Sequence, residues 1–172
     1  MSAVLKRTPR NQRWVRRLAW LLAFVVVFAA VRWYQQRDMV SGQSPPIDAV
    51  LLDGGSIALS ELRGRPVLVH FWATWCPICE FEQGAIEALS RDYQVVTVAM
   101  RSGDSLAVEA HMREQGLSFP VVVDEDGYLA RSYGVRGVPA SFVLDAAGRI
   151  RFREVGYTTP LGLRMRLWWA SL

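Results

Sequence analysis

The most regular hydrophobic feature of the chain is an early apolar run, from Leu18 to Val31, that contains no charged residue, proline or glycine. Arg32, Trp33 and Tyr34 follow it. An arginine at this place can extend its charge to the membrane surface, and the two aromatic rings are typical of a membrane interface. Counted to Tyr34, the run reaches the roughly 17–25 residues that a membrane-spanning helix needs. We therefore predict a transmembrane anchor at residues 18–34.

The residues before this run decide how it is oriented. Residues 1–17 hold six basic side chains and no acidic one, which predicts a cytoplasmic tail and a single-pass inner-membrane protein whose main domain is periplasmic. Disulfides persist in the periplasm. The competing interpretation is a cleaved signal peptide, with Val27-Phe28-Ala29 as a small-residue cleavage site.

Beyond the anchor, residues 35–47 include Ser-Gly-Gln-Ser-Pro-Pro and are predicted to be a linker, and residues 48–172 have the size of one domain. Apolar runs, helical spacing and turn residues predict the order of the elements. The first half consists of a hairpin of 49–52 with 56–59, a strand at 66–71, a helix at 76–92 and a strand at 93–100. The second half consists of a helix at 105–115, a strand at 119–123, a helix at 128–133, a hairpin of 141–144 with 149–155, and a closing helix at 160–171. This alternation predicts an α/β sandwich with helices on both faces of a central sheet.

Charge narrows the range of partners. The net charge of +4 arises from the N-terminal tail, because all 16 acidic residues lie from Asp38 onward, where only 12 arginines oppose them. The domain is thus mildly acidic, whereas nucleic-acid binding needs a basic face on the folded part. We expect no nucleic-acid partner.

The two cysteines, Cys76 and Cys79, are the only ones in the chain and lie where a buried strand turns into a helix. Structural zinc needs four ligands, and only His70 and His111 could add to the pair. Covalent haem attachment needs a histidine directly after the second cysteine, where Glu80 stands. Thiol–disulfide chemistry remains, so we predict no metal and no cofactor.

The position of each cysteine predicts its role in that chemistry. Cys76 at the helix N-terminus faces unpaired N–H groups and the positive end of the helix dipole, which lower its pKa and make it the nucleophile. Pro77 fits the first helical position. Cys79, one turn later and more buried, is the resolving cysteine that releases a bound partner. Because Pro77-Ile78 offers no histidine to stabilise a thiolate, the pattern favours the reducing direction.

Residues Val69 to Cys79, with the sequence VHFWATWCPIC, resemble the active-site stretch of the thioredoxin superfamily, in its TlpA/ResA-like membrane-anchored branch. Leu59 to Pro66 is typical of that branch, and Gly137-Val138-Pro139 resembles the loop whose cis-proline faces the disulfide. Residues 99–103 and the tail from Gly156 are similar to ScsD-type proteins, which are linked to suppression of copper sensitivity. The resemblance implies a thioredoxin-like fold and disulfide exchange with substrate proteins.

The same resemblance implies roles for further residues. Pro139 would form a cis peptide bond and present the Val138 backbone to an extended substrate segment. Trp75, Pro77, Ile78 and Val138 would then contact the substrate, with Trp75 at the edge of the site and Trp72 in the core. An ordinary trans proline opening a strand is the alternative for Pro139.

Two polar residues are left with two interpretations each. His70 lies where thioredoxins carry a buried aspartate, so it would move a proton or tune the pKa of Cys79, or else be a neutral buried residue. Glu82 matches a glutamate near the disulfide in the ResA-like branch, so it would accept a proton from Cys79, or else lie on an exposed helix face. Gly84 replaces a common proline, which puts a helix kink in doubt.

Other aromatic and histidine positions are assigned to structure. We expect His111 on a helix surface, and Trp168 and Trp169 in core packing, with a partner-binding site as the alternative for the two tryptophans. The function predicted is that of a membrane-anchored periplasmic thiol–disulfide oxidoreductase that acts on cysteine-containing proteins and is re-reduced by a membrane electron donor of the DsbD/ScsB type. Three alternatives stay open: a thiol reductase for cytochrome c maturation, a general disulfide oxidase or isomerase, and a non-enzymatic Cu(I)-binding module.

Overall fold

The computed structural model describes residues 9–172, and their side chains from residue 14 onward. The contacts divide the chain after Arg37 into two units, each compact by itself. The first contains one helix, α1 (Pro9–Gln36). Its segment Trp14–Gln36 contains an 18-residue stretch with a mean hydropathy of 1.9 and is long and apolar enough to cross a membrane. The predicted anchor at 18–34 lies inside this segment. The part of the predicted tail before residue 9 lies outside the described residues.

The second unit is built on a six-stranded mixed sheet. Across the sheet its strands follow the order β1 (Gly42–Gln43), β8 (Arg149–Val155), β7 (Ala140–Leu144), β4 (Val67–Trp72), β5 (Gln94–Met100) and β6 (Val121–Asp124). Strand β4 lies near its centre, pairs in parallel with β5 and antiparallel with β7, and has all six residues buried. A run that is apolar at every position but one is expected of a strand covered on both faces.

Helices cover both faces of the sheet, as predicted. One core joins Leu68 and Trp72 of β4 to residues of α2 (Pro77–Ser90), α3 (Ser105–Gln115) and α5 (Pro160–Ala170). The other core joins alternate residues of β4 to α4 (Tyr128–Ser132) and the 3-10 turn Leu59–Leu62. A separate hairpin pairs β2 (Asp48–Val50) with β3 (Ser56–Ala58). This is the thioredoxin-like fold that the sequence predicts.

The segment predicted as a linker is part of the folded unit from Asp38 onward. Met39 and Ile47 are buried in the second core, and β1 adds an edge strand to β8. The Arg153 side chain also donates a hydrogen bond to the carbonyl oxygen of Met39 over 2.9 Å. The prediction was wrong because isolated apolar residues between polar and proline residues produce no periodic signal. Met39 and Ile47 become core residues only because the chain folds back against the second core.

The tryptophan pair in α5 is also not where the sequence places it. Trp168 is 60% exposed and Trp169 is 61% exposed, and the Trp169 ring forms a T-shaped pair with Phe152 at a centroid distance of 6.4 Å. The buried positions of α5 are Leu163, Leu167 and Ala170. Both tryptophans fall outside that buried face, so their assignment to core packing was wrong.

Candidate active site

Cys76 stands at the N-terminus of α2, directly after the turn that leaves β4. Its backbone is extended at the N-cap, and Pro77 takes the first helical position, where a missing N–H leaves no hydrogen bond unmade. The backbone N–H of Cys79 donates a hydrogen bond to Cys76 Sγ over 3.1 Å. This N–H and the helix dipole both favour negative charge on the sulfur, so the geometry stabilises an ionised Cys76.

Cys76 and Cys79 form a disulfide, and their surroundings differ. Cys76 retains 6% of its surface, whereas Cys79 has none exposed and packs in the core with Trp72 and Leu163. An external sulfur therefore reaches Cys76 more readily than Cys79. This is the asymmetry that the sequence predicts for the pair.

The loop before β7 approaches the disulfide from the other side. The peptide bond between Val138 and Pro139 is cis, as predicted, and the Val138 carbonyl oxygen lies 3.7 Å from Cys76 Sγ. The Pro139 carbonyl accepts a hydrogen bond from the N–H of Gly156 over 2.8 Å. The sequence-predicted Cys76, Val138 and Pro139 are thus brought together by contacts between elements distant in sequence.

The two tryptophans around the motif are split as predicted. Trp72 is fully buried, and its indole N–H donates to Thr97 Oγ1 over 3.1 Å. Trp75 is 59% exposed, and its indole N–H donates to the carbonyl oxygen of Arg101 over 2.9 Å. That bond holds the Trp75 ring against the loop after β5. Ile78, the other apolar residue of the motif, is also exposed.

His70 is buried on β4 and is held by the neighbouring strand. Its Nδ1 lies 2.9 Å from Ser141 Oγ, within hydrogen-bond distance. Burial lowers the pKa of His70 from 6.5 to about 4, so the imidazole is neutral at pH 7. Its Nε2 has no hydrogen-bond partner among the described residues.

Glu82 lies on the buried face of α2 together with Cys79, and is not on an exposed helix face. Its Oε1 accepts a hydrogen bond from the N–H of Thr158 over 3.3 Å, and Oε2 has no partner among the described residues. Burial raises the pKa of Glu82 to about 7, and the Thr158 hydrogen bond opposes this only in part. A carboxyl group with such a pKa exchanges a proton near neutral pH. Neither Glu82 nor His70 hydrogen-bonds to a sulfur within the described part of the chain.

A second histidine lies closer to the site than the sequence predicts. His111 is only partly exposed, its ring lies 5.5 Å from that of Trp72, and its Nε2 lies 3.0 Å from Gln83 Nε2. Gln83 sits beside Glu82 on the buried face of α2. His111 lies on α3 and stays partly exposed, as expected, but α3 packs on the same core as α2, which brings the His111 ring against Trp72.

The residues that sequence reasoning missed are two exposed aromatic residues, Phe81 on α2 and Tyr157 in the loop after β8. Phe81 is 79% exposed although it follows Cys79 by only two residues, and its ring meets that of Tyr157 at a centroid distance of 5.7 Å. The sequence does contain a signal for Phe81. Helical periodicity places this phenylalanine off the apolar face of α2, where it does not contribute to the core. No local signal places Tyr157 beside it.

No group of three or more histidine, cysteine, aspartate or glutamate side chains that could hold a metal ion occurs in the described part of the chain. The site therefore consists of a disulfide, a cis-proline loop, two buried titratable groups and exposed aromatic rings. What it can do chemically is exchange thiols for disulfides.

This fold and site define a thioredoxin-like protein-disulfide oxidoreductase, an enzyme whose substrates are cysteine-containing proteins. The model of the AhpC/TSA family matches residues 40–153, which is more than half of the chain. The chain belongs to that family, and within it resembles the ResA-type thiol–disulfide oxidoreductases.

The similarity to relatives extends over most of their length. The chain is 31% identical to a thioredoxin-like protein of Haemophilus influenzae, over 90% of this chain and 92% of the relative. It is equally identical to the thiol-disulfide oxidoreductase ResA of Geobacillus thermodenitrificans, over 92% of this chain and 96% of the relative. Among solved structures, a thiol:disulfide interchange protein of the thioredoxin family from Chlorobium tepidum superposes with a TM-score of 0.67 at 26% identity, covering 77% of this chain and 98% of that one.

Proposed function

We propose that this protein is a membrane-anchored reductase of protein disulfides in the periplasm, with Cys76 as nucleophile and Cys79 as resolving cysteine. The observation that carries the proposal is the asymmetry of the pair: Cys76 accepts an N–H bond at the helix start, and Cys79 is fully enclosed. The apolar helix α1 supports membrane anchoring, and the basic residues 1–17 support a cytoplasmic N-terminus.

The reaction proceeds in two exchanges. The Cys76 thiolate attacks one sulfur of the substrate disulfide, a mixed disulfide forms, and the other substrate sulfur leaves as a thiolate. Cys79 then loses its proton, attacks Cys76 Sγ and expels the second substrate sulfur. The substrate gains two electrons, and the enzyme keeps the Cys76–Cys79 disulfide. A dithiol donor in the membrane, of the DsbD/ScsB type, would reduce it again.

The remaining predicted residues fit supporting roles. The Val138 carbonyl beside Cys76 is placed to pair with the backbone of an extended substrate, and Pro139 fixes its direction. Glu82, enclosed on the same helix face as Cys79, would accept the Cys79 proton. Neutral His70, on β4, would tune the Cys79 environment without adding charge.

The reduction potential decides the direction of exchange. A potential near about −270 mV marks a reductant and one near about −120 mV an oxidant. A strong oxidant owes its potential to a stabilised thiolate, and Pro77-Ile78 supplies no polar group for that purpose. We therefore expect a value in the reducing half of this range, measured by equilibration of the full chain with glutathione buffers. A potential in the oxidising half would reverse the proposed direction and favour an oxidase.

Proton transfer through Glu82 predicts a pH dependence. Because burial raises the pKa of Glu82 to about 7, the carboxyl is protonated at pH 5.5 or so and ionised above about pH 8, where it can accept a proton. The rate of the resolving step should therefore rise through pH 7, and Glu82→Gln should flatten that rise and slow the step about 100-fold at high pH.

His70→Asn is the matched control for this experiment. His70 is equally buried but neutral throughout this range, because its pKa is lowered to about 4. Its substitution should leave the inflection near pH 7 in place. Stopped-flow mixing of the mixed disulfide at several pH values measures both variants. An unchanged inflection in Glu82→Gln would remove Glu82 from the proton path.

A further inference from the structure

We propose that Phe81 and Tyr157 form a side-chain subsite that selects substrate segments with a bulky apolar residue two positions from the reactive cysteine. This inference rests on the proposed function, since it concerns the substrate of the same disulfide. It names a chemical class of substrate, an extended polypeptide with an aromatic or large aliphatic side chain, which family membership leaves open.

The exposure of Phe81 is the first observation. The buried face of α2 consists of Cys79, Glu82, Gln83, Ile86 and Leu89, and Phe81 lies outside it with 79% of its surface exposed. A large exposed aromatic side chain contributes nothing to this core. Exposed apolar surface that borders a reactive group is characteristic of interaction sites.

The second observation is that the loop carrying Tyr157 is held at both of its neighbouring residues. The N–H of Gly156 donates to the carbonyl of Pro139 over 2.8 Å, and the N–H of Thr158 donates to Glu82 Oε1 over 3.3 Å. Thr158 is buried, whereas Tyr157 is 45% exposed. The loop thus presents one aromatic ring to solvent from a fixed backbone.

The two rings extend the apolar surface of the redox site. Trp75 and Ile78 are exposed beside Cys76, and Ile78 and Phe81 share one helix face because they are three residues apart. We call Trp75, Ile78, Phe81 and Tyr157 the apolar rim. The rim adjoins the redox site through Trp75 and Ile78 of the motif and through the hydrogen bond that ties Gly156, next to Tyr157, to Pro139. This continuity favours a segment whose cysteine bonds to Cys76 as the occupant of the rim.

Helix and strand geometry fix which substrate residue reaches the subsite. Phe81 follows Cys76 by five residues, which corresponds to about 7.5 Å along a helix. In an extended segment, residues two apart lie about 7 Å from each other and point to the same side. The side chain two positions from the substrate cysteine therefore points to the same side as that cysteine, and its displacement along the segment is similar to the displacement of Phe81 from Cys76 along the helix axis.

The test uses peptides whose single cysteine is in a mixed disulfide with glutathione. The peptides are compared in two pairs. In the first pair, one peptide has phenylalanine and the other has serine two residues before the cysteine. In the second pair, the same two residues stand two positions after the cysteine. The full chain, reduced and in detergent micelles, should react with one phenylalanine peptide at least about fivefold faster than with its serine counterpart, the scale of one aromatic contact. Phe81→Ala and Tyr157→Ala should each bring this ratio below about two.

Tyr128→Ala is the matched control, because Tyr128 is an aromatic residue on α4 that is 69% exposed and is not part of the apolar rim. It should keep the full ratio. A wild-type ratio near one for both pairs, or a ratio that survives in Phe81→Ala, overturns the subsite. The subsite is also overturned if Phe81→Ala leaves the ratio unchanged and converts a dimer to a monomer in sedimentation, because the apolar rim would then bind a second copy of the chain. If no peptide reacts with the reduced wild-type protein, the proposed function itself fails.

Discussion

Replacement of Cys79 by serine is expected to convert the enzyme into a trap for its substrates. The Cys76 thiolate would still attack a substrate disulfide, but no second thiol could release it, so a mixed disulfide should accumulate through Cys76. Cys76→Ser should form no adduct and lose exchange activity by on the order of 10³-fold or more, as removal of a nucleophile does. Non-reducing gels and mass spectrometry of the full chain identify the bonded cysteine.

The enclosed position of Cys79 is what makes this experiment decisive. Because Cys79 has no exposed surface, a substrate disulfide does not reach it readily, so a trapped adduct is expected only through Cys76. The double variant Cys76→Ser with Cys79→Ser is the control for non-specific capture. An adduct that forms through Cys79 in the Cys76→Ser variant would reverse the two roles. Circular dichroism separates loss of chemistry from loss of fold.

Replacement of Gly134 by alanine is expected to destabilise the domain by about 3 kcal/mol or more. Gly134 has a φ of +68°, and an added Cβ would overlap the backbone carbonyl oxygen of Asp38 and lie 3.1 Å from Met39 Cα. A left-handed conformation alone costs an alanine roughly 1–2 kcal/mol, and a clash with backbone must add to it. Denaturant unfolding of the full chain, followed by tryptophan fluorescence, gives the free energy of unfolding.

Two other glycines separate the contributions to this loss. Gly116 has a nearly identical φ of +65° with open space around its Cβ position, so Gly116→Ala should cost only about 1 kcal/mol. Gly84 lies within α2 with no atom near its Cβ position, so Gly84→Ala should stabilise by about 0.5–1 kcal/mol. If Gly134→Ala is no worse than Gly116→Ala, the segment at Asp38 is not packed as described.

The sequence predicted most of the elements of this fold because each has a local signal. The run from Val67 to Trp72 is apolar at every position except His70, as a central strand requires, and Gly116 stops α3 in the left-handed conformation. The helix at Ser105–Gln115 matches its predicted bounds, and Asp104 caps it through a hydrogen bond to the N–H of Ala107. These signals depend on a few neighbouring residues, so no tertiary information is needed to read them.

The candidate site was predicted less evenly. The Cys76–Cys79 pair and the loop at Pro139 follow from motifs, but the alternatives for Glu82 and His70 could not be separated from local sequence. Both are buried because α2 and β4 face other parts of the chain, and burial shifts their pKa values in opposite directions. The residues next to a glutamate in a helix do not show whether that side of the helix faces solvent or the protein core.

By itself, the sequence determined most of the strands and helices, the cysteine pair at a helix N-terminus, and the apolar segment near the N-terminus. Tertiary structure alone decided that Met39 and Ile47 join the core, that Glu82 meets the N–H of Thr158, and that Tyr157 lies against Phe81. The reason is physical: periodicity and capping act over a few residues, whereas these contacts form between segments far apart in the chain. The burial of a side chain and the identity of its hydrogen-bond partner depend on how the whole chain packs. These two properties give the sulfurs of Cys76 and Cys79 different surroundings.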